Sequence, residues 1–321
     1  MDRYEVFLGQ VKMGIQKKLG KDAQTEIATC WGNNGLKKDV LRIFKPDGKS
    51  VERVIPLIYL EPYFEKLQSG MTTMGEVSED ILRLLESGLP DDIDTDGDLG
   101  NYERVRGKIM FKVIHAAAND QLLKDIPHVR FLDLAVVFYL LLGQNETGQL
   151  VAPVYNACLR EWGSNTEDLW EAAMVNTPRS LPAQIVPMKE MMAEIINGCM
   201  GDALDAEVAQ FLLEGSEDES GMYVLSNRTG MYGAACMLYE GVLKAFSDSL
   251  GSDLLILPSS IHEALLIKDD GNRDYEECRA MVRGVNAEDV PLEDQLSDEV
   301  YRYIRETDEI VLAPGKTDGE P

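Results

Sequence analysis

The stretch Leu254-Leu-Ile-Leu-Pro-Ser-Ser-Ile-His-Glu-Ala-Leu-Leu-Ile267 contains two short apolar runs separated by a turn. The runs, Leu254–Leu257 and Ala264–Ile267, are rich in Leu and Ile and have the length and composition of buried strands. Pro258 follows the first run directly and lacks the N–H that a central strand would need. The stretch therefore predicts two neighbouring strands of one sheet.

The segments around these strands extend the pattern. They predict a strand, a helix, a second helix and a last strand, in order at Met222–Ser226, Met231–Leu250, Tyr275–Asn286, and near Val300–Ile304 or Ile310–Leu312. The resulting order, β-α-β-β-α-β, is typical of a two-layer α/β sandwich of the split βαβ kind. We therefore predict an α+β fold whose C-terminal domain covers residues 222–312.

The preceding residues predict a mixed N-terminal part. Residues 1–90 are interpreted as an α+β region, and residues 91–197 as a central region of helices and strands that packs with it. In the central region, apolar residues at helical spacing predict a helix over Tyr102–Ala118. Residues 198–221 are acidic and predict a linker or insertion, and residues 313–321 predict a disordered tail.

The charge of the chain restricts its partners. The 321 residues carry a formal net charge of −25. Nucleic acids and anionic membranes are bound through an excess of Lys and Arg, so this chain is predicted to bind neither. The charge is uneven: residues 1–60 hold 11 Lys/Arg against 7 Asp/Glu, and residues 201–321 hold 9 against 27. The expected partner is a protein, with a basic surface as the best match, or a small molecule.

The cysteines and the N-terminus indicate a cytoplasmic protein. The five cysteines are scattered, odd in number and form no Cys-x-x-Cys pair, which is typical of reduced core residues. The first residues are charged and lead into no apolar signal sequence.

One acidic run has the spacing of a calcium-binding loop. The sequence from Asp92 to Glu103 matches the pattern D-x-D-x-D-G-x₅-E. The candidate oxygen ligands are Asp92, Asp94, Asp96, Asp98 and Glu103. Against this, Gly88 and Pro90 should end the preceding helix early, and the chain has no second loop of this kind. A solvated acidic loop is the alternative, and no other cofactor is predicted.

A second motif places hydroxyl, imidazole and carboxylate groups close together in the sequence. Ser259, Ser260, His262 and Glu263 contain the groups used in nucleophilic catalysis, and His128 is a further candidate. Residues so near in sequence cannot easily set a serine against a histidine, and the chain has no G-x-S-x-G motif. The alternative interpretation is a turn in which His262 makes a local hydrogen bond.

Three segments resemble a known family when taken together. They are Asp125-Ile-Pro-His-Val-Arg-Phe-Leu-Asp-Leu-Ala-Val-Val-Phe138, Tyr223-Val-Leu-Ser-Asn-Arg-Thr-Gly-Met-Tyr-Gly-Ala-Ala235 and Leu257-Pro-Ser-Ser-Ile-His-Glu-Ala-Leu265. The chain resembles the uncharacterised bacterial family Domain of Unknown Function 5688 from its first helix to about Leu312. This resemblance implies a bacterial cytoplasmic protein and supplies no activity, cofactor or catalytic residue.

These observations favour a non-catalytic interaction or regulatory protein over an enzyme. The sequence offers no complete catalytic constellation, and its charge is strongly asymmetric. Two alternatives stay open. One is a hydrolase that uses His262 with Ser259 or Ser260, and the other is a calcium-binding module at residues 92–103.

Overall fold

The computed structural model describes residues 3–20, 24–44, 57–88, 99–145, 148–191, 221–258 and 260–315. Contacts divide the chain into two compact units. The first contains residues 1–111, 116–129 and 136–177, and the second contains Lys112–His115, Arg130–Ala135 and Pro178–Pro321. The acidic residues 198–220, the Asp-rich residues 92–98, Ser259 and the tail from residue 316 lie outside the described residues.

The first unit contains most of a seven-stranded sheet. Its strands are β1 (Gln24–Trp31), β2 (Lys37–Phe44), β3 (Leu57–Tyr59), β4 (Ile109–His115), β5 (His128–Phe131), β6 (Leu134–Asn145) and β7 (Gly148–Pro153). The order across the sheet is β1-β2-β3-β7-β6-β4, with β5 paired to β6. The end of β4, the end of β5 and the start of β6 are assigned to the second unit. The helices are α1 (Arg3–Leu19), α2 (Glu61–Gln68), α3 (Met74–Gly88), α4 (Tyr102–Val105), α5 (Asp120–Leu123), α6 (Asn156–Trp162) and α7 (Thr166–Ser180).

The spacing of apolar residues in helix α1 determines which face of the helix is buried. Phe7, Val11 and Ile15 recur every four residues, so they lie on one face of the helix, and all three are buried. Helix α1 packs against β1 and α3. At its end, Gln16 Oε1 accepts hydrogen bonds from the backbone N–H and the hydroxyl of Thr25, both at 2.9 Å.

The predicted helix over Tyr102–Ala118 is wrong. Helix α4 ends at Val105, a 3-10 turn follows at Arg106–Lys108, and the chain then enters β4. Ile109, Met110, Phe111, Val113 and Ile114 are buried on both faces of this strand. A short apolar run without alternation cannot be assigned to helix or strand from periodicity alone. The packing of Ile109–His115 in the sheet determines that this run is a strand.

The second unit is an antiparallel sheet with helices. Its strands are β8 (Ala183–Pro187), β9 (Met222–Asn227), β10 (Asp253–Leu257), β11 (Ala264–Asp269), β12 (Tyr301–Ile304) and β13 (Glu309–Leu312), in the order β13-β12-β10-β11-β9-β8. Between them lie a 3-10 helix at Gly233–Leu238, α8 (Val242–Leu250) and α9 (Tyr275–Glu288). The two antiparallel-sheet units confirm the predicted α+β class, and both alternatives for the last predicted strand are strands.

Apolar side chains of α9 and the sheet form a core in the second unit. Strands β10 and β11 pair as a hairpin at the centre of this sheet, which we call the central hairpin. Val282 of α9 packs with Leu255, Leu257 and Ile267 of this hairpin. Asp274 caps the start of α9 by accepting hydrogen bonds from the N–H groups of two following residues. Strand β8 also belongs to this sheet and lies before residue 222, where the sequence-based domain began. No helix in the described ranges is long and apolar enough to cross a membrane.

Candidate functional site

The end of β9 leads into a turn whose backbone leaves no room for one side chain. A Cβ on Gly233 would lie 2.1 Å from Ser226 Oγ and 2.4 Å from the carbonyl oxygen of His262. The preceding residue, Tyr232, has a φ of 56°, which is unusual for a bulky residue. Gly233 is therefore required by the close approach of this turn to Ser226 and to the backbone of His262.

Side chains within the turn hold this conformation. Asn227 accepts hydrogen bonds from the backbone N–H and the hydroxyl of Thr229, at 3.0 and 2.8 Å. Its amide nitrogen donates to the carbonyl of Met231 at 2.8 Å. Asn227 is buried, so each of these contacts replaces a lost contact with water.

His262 lies against this turn with both ring nitrogens in use. Nε2 is 3.1 Å from Asp294 Oδ1, and Nδ1 is 3.1 Å from the carbonyl oxygen of Gly230. The backbone N–H of Tyr232 also points at Nδ1, at 3.3 Å. Nε2–H can therefore donate to Asp294, while Nδ1 has both an acceptor and a donor beside it. The hydrogen bond to Asp294 raises the pKa of His262 above its usual value of 6.5, against the opposing effect of burial.

Two further groups complete a stack on the imidazole. The Tyr232 ring lies parallel to His262, with 5.9 Å between ring centroids and 12° between planes. Lys112 Nζ is 4.2 Å from the centroid of the Tyr232 ring. An ammonium group over an aromatic face is attracted by the ring quadrupole. Lys112, Tyr232, His262 and Asp294 thus form one continuous set of contacts, which we call the His262 stack.

The other residues of the predicted serine–histidine motif have local roles. Ser260 is 5% exposed, and its Oγ accepts a hydrogen bond from the backbone N–H of His262 at 3.0 Å. The charge of Glu263 adds to the rise in the pKa of His262. Ser259 lies outside the described residues. In the described part of the motif, the imidazole contacts a carboxylate, a backbone carbonyl and a backbone N–H, and the serine hydroxyl contacts the backbone.

Asp133 forms a second polar cluster in the same unit. Its carboxylate accepts hydrogen bonds from the hydroxyls of Tyr301, at 2.5 Å, and Ser297, at 2.6 Å. His115 Nε2 lies 3.8 Å from Oδ2 of the same carboxylate. Tyr301 is completely buried, and burial together with the nearby Asp133 charge raises the pKa of its hydroxyl.

One loop joins the two clusters. The carbonyl of Asp294 accepts from the N–H of Ile261, while its side chain bonds His262. The N–H of Ser297 donates to the carbonyl of Pro258, while its hydroxyl bonds Asp133. Residues 294–297 therefore connect Asp133 with His262.

The three segments that carry the family resemblance each contribute a residue to these two clusters. They contribute Asp133, Tyr232 and His262, respectively. Sequence reasoning identified His262 and missed Asp133, Asp294, Ser297 and Tyr301. No sequence signal marks the turn that places Asp133, because Leu132 adopts a φ of 53° at a position where Gly or Asn would be expected.

The remaining predicted site residues belong to the first unit or fall outside the described residues. His128 belongs to the first unit, and its Nδ1 is 3.1 Å from the carbonyl oxygen of Ile126 in the same turn. Glu103 is exposed in the first turn of α4, and its N–H bonds Asn101 Oδ1. The calcium ligands Asp92, Asp94, Asp96 and Asp98 fall outside the described residues. Among those described, no group of three or more His, Cys, Asp or Glu side chains is arranged to hold a metal ion.

The second unit also has an open polar groove of about 640 Å³. Its cations are matched by carboxylates, since Arg302 bonds Asp269 at 2.6 Å and Asp253 at 3.3 Å. Lys244 and Arg305 both contact Asp248, which lies beside the groove, at 2.8 Å. The groove therefore offers few unmatched cations to an anionic ligand.

Comparison with known proteins supports the resemblance over almost the whole chain. The sequence profile described as "Family of unknown function (DUF5688)" matches residues 4–305. No curated protein and no solved structure matches the chain at the significance required of these searches. The chain belongs to DUF5688, a family of unknown function.

Proposed function

We propose that this chain is a non-catalytic interaction protein of the bacterial cytoplasm. The observation that carries the proposal is the state of His262. Both of its ring nitrogens contact groups of the protein: Nε2 contacts Asp294 Oδ1, and Nδ1 contacts the carbonyl of Gly230 and the backbone N–H of Tyr232. A histidine held in this way stabilises a turn and a loop, which suits a rigid scaffold.

The hydrolase alternative requires a different geometry. A serine nucleophile must donate its proton to a free imidazole nitrogen while a third group orients the ring. Here both ring nitrogens are already engaged, Nε2 by Asp294 and Nδ1 by the backbone of Gly230 and Tyr232, so neither faces a serine hydroxyl in the described residues. The hydroxyl of Ser260 is 3.0 Å from the backbone nitrogen of His262. In the part of the chain that the structure describes, this hydroxyl forms no hydrogen bond with the imidazole ring of His262.

The cysteines and the charge distribution support the proposed cytoplasmic location and a partner with a basic surface. The four cysteines in the described ranges are free thiols, which suits a reducing cytoplasm. Residues 201–321 hold 9 Lys/Arg against 27 Asp/Glu, so this part of the chain would attract a basic protein surface.

A substrate screen tests the non-catalytic assignment. Nitrophenyl esters, a fluorescent casein and nitrophenyl phosphate are incubated with the parent chain, with His262→Ala and with Ser259→Ala/Ser260→Ala. We expect all three proteins to give the rate of buffer alone. Turnover by the parent that is lost in His262→Ala, while the variant keeps its folded circular dichroism spectrum, would establish the hydrolase instead.

A further inference from the structure

Strand β1 forms one edge of the first unit's sheet, and its hydrogen-bonding direction can be derived. In an antiparallel pair, opposed residues alternate between hydrogen-bonded and non-hydrogen-bonded positions. The N–H of Thr25 donates to Gln16, and Asp39, opposite Thr29, uses its N–H and its carbonyl for Glu61 and Leu60. The pairs formed by Thr25 and Thr29 with β2 are therefore non-hydrogen-bonded. The backbone groups of Ile27, Thr29 and Trp31 point away from β2.

This outer edge is accessible over the second half of the strand. Gln16 covers the N–H of Thr25 at the start of β1. Beyond it, Thr29 is exposed, Ile27 is half-buried, and Trp31 is 47% exposed. In the described part of the chain, β2 is the one strand paired with β1. An open edge with unpaired backbone groups is a template for another strand.

The charge around this edge is positive, in contrast to the chain as a whole. Lys17 and Lys18 end α1 beside the start of β1 and are exposed. At the other end, Lys37 lies opposite Trp31 with its Nζ 5.5 Å from the ring centroid. In residues 3–20 and 24–44 there are 7 Lys/Arg against 3 Asp/Glu, and Glu26 is the one charged residue of β1 itself.

We infer that the outer edge of β1 binds an extended acidic segment of another protein as an added strand. The backbone groups of Ile27, Thr29 and Trp31 would supply the hydrogen bonds. The side chains of these three residues share one face of the strand, so alternate apolar side chains of the ligand would pack beside them. Acidic residues of the ligand would lie near the lysines at both ends. The inference rests on the proposed interaction function and adds an acidic partner for β1, distinct from the basic surface expected to meet residues 201–321.

A random eight-residue peptide display library, selected on the immobilised full-length chain, tests the inference. We expect enrichment of peptides in which apolar and acidic residues alternate. The best synthetic peptide is then titrated by fluorescence anisotropy. Thr29→Pro removes an outward N–H without removing a backbone hydrogen bond to β2, and it also removes the hydroxyl that donates to Asp39 Oδ1 at 3.0 Å. It should weaken binding about tenfold or more, whereas Thr29→Val, which loses the same hydroxyl but keeps the N–H, should bind within about twofold of the parent.

Two further experiments test the inference even if the Thr29→Pro variant fails to fold. Lys17→Glu/Lys18→Glu leaves the strand untouched and should weaken binding about fivefold. Two N-methylated peptides are compared, one methylated at the odd-numbered residues and one at the even-numbered residues. Only one of these two sets of N–H groups faces β1, so only one of the two peptides should lose binding. The inference is overturned if selection yields no acidic alternating peptides, or if Thr29→Pro and both methylated peptides bind like their parents. Such a result leaves the substrate screen, and with it the non-catalytic assignment, unaffected.

Discussion

Gly233 is the residue with the least spatial freedom in the candidate site. An added Cβ would meet Ser226 Oγ at 2.1 Å and two backbone atoms, the His262 oxygen at 2.4 Å and the Asn227 nitrogen at 2.8 Å. These backbone atoms belong to the end of β9 and to the turn before β11 and cannot move aside cheaply, so we expect Gly233→Ala to lower the free energy of unfolding by about 3 kcal/mol. Urea denaturation measures the change. Gly284→Ala, in α9 with open space around it, is the matched control and should be neutral or slightly stabilising. Equal stability of the two variants would contradict the steric argument.

The protonation of His262 should appear in the pH dependence of stability. The hydrogen bond to Asp294 raises the pKa of His262 in the folded state. The folded chain therefore binds a proton at His262 more tightly than the unfolded chain does. This stabilisation is complete below about pH 6.5, the unfolded value, and is lost as pH rises through the folded pKa. We expect the parent to lose an advantage on the order of 1 kcal/mol over His262→Gln between about pH 6 and pH 9.

Denaturant titrations across that range measure this difference. Asp294→Asn is the second variant, because it removes the charge that raises the pKa while keeping a hydrogen-bonding side chain. Its stability relative to His262→Gln should be nearly independent of pH. A parent-to-variant difference that grows with rising pH would show that His262 is neutral in the folded protein.

At the scale of elements, Asp133 ties the turn between β5 and β6 to β12. Removing its carboxylate leaves the buried hydroxyl of Tyr301 without its acceptor, and the Ser297 hydroxyl as well. We expect Asp133→Ala to cost about 3 kcal/mol of unfolding free energy, and Asp133→Asn about half of that, since the amide oxygen still accepts. Thermal unfolding checks both, with Asp120→Ala in exposed helix α5 as the control. Destabilisation no larger than that of the control would contradict a structural role for the cluster.

The flanking elements also bear on the predicted calcium loop. Helix α3 ends at Gly88, before Asp92, and α4 has only four residues before the chain turns into β4. Two long helices normally hold such a loop in position, so we expect calcium to bind with a dissociation constant of about 1 mM or weaker. Calorimetry of the parent beside Asp92→Ala/Glu103→Gln measures it. Saturable heat at micromolar calcium, absent in the variant, would assign a calcium site to residues 92–103.

Local sequence pattern predicted the α+β class, the central hairpin and the polar residues at its turn, because each depends on neighbours in the chain. It failed at β4, where Ile109–His115 is apolar enough to suit either a helix or a strand. It also missed the partners of the site. Ser297 is 164 residues from Asp133, and Asp294 is 32 residues from His262. Such contacts depend on the strand order of the sheet, which no local pattern encodes.

At the scale of the whole molecule, the net charge of −25 should destabilise the folded chain through self-repulsion. The repulsion acts over long distances at low ionic strength and is screened within about 10 Å at 0.1 M salt. We therefore expect the melting temperature to rise by several degrees between about 20 mM and 500 mM NaCl, with most of the rise complete near 200 mM.

The described ion pairs would respond in the opposite direction, which makes the sign of the salt effect informative. Arg305 and Lys244 share Asp248 at the surface, and screening weakens such exposed contacts only slightly. Potassium chloride should reproduce the sodium series, because the effect depends on ionic strength. Glu306→Gln removes one exposed carboxylate beside the groove and should raise the melting temperature at low salt but not at high salt. A melting temperature that falls with added salt would show that attractive pairs outweigh the excess negative charge.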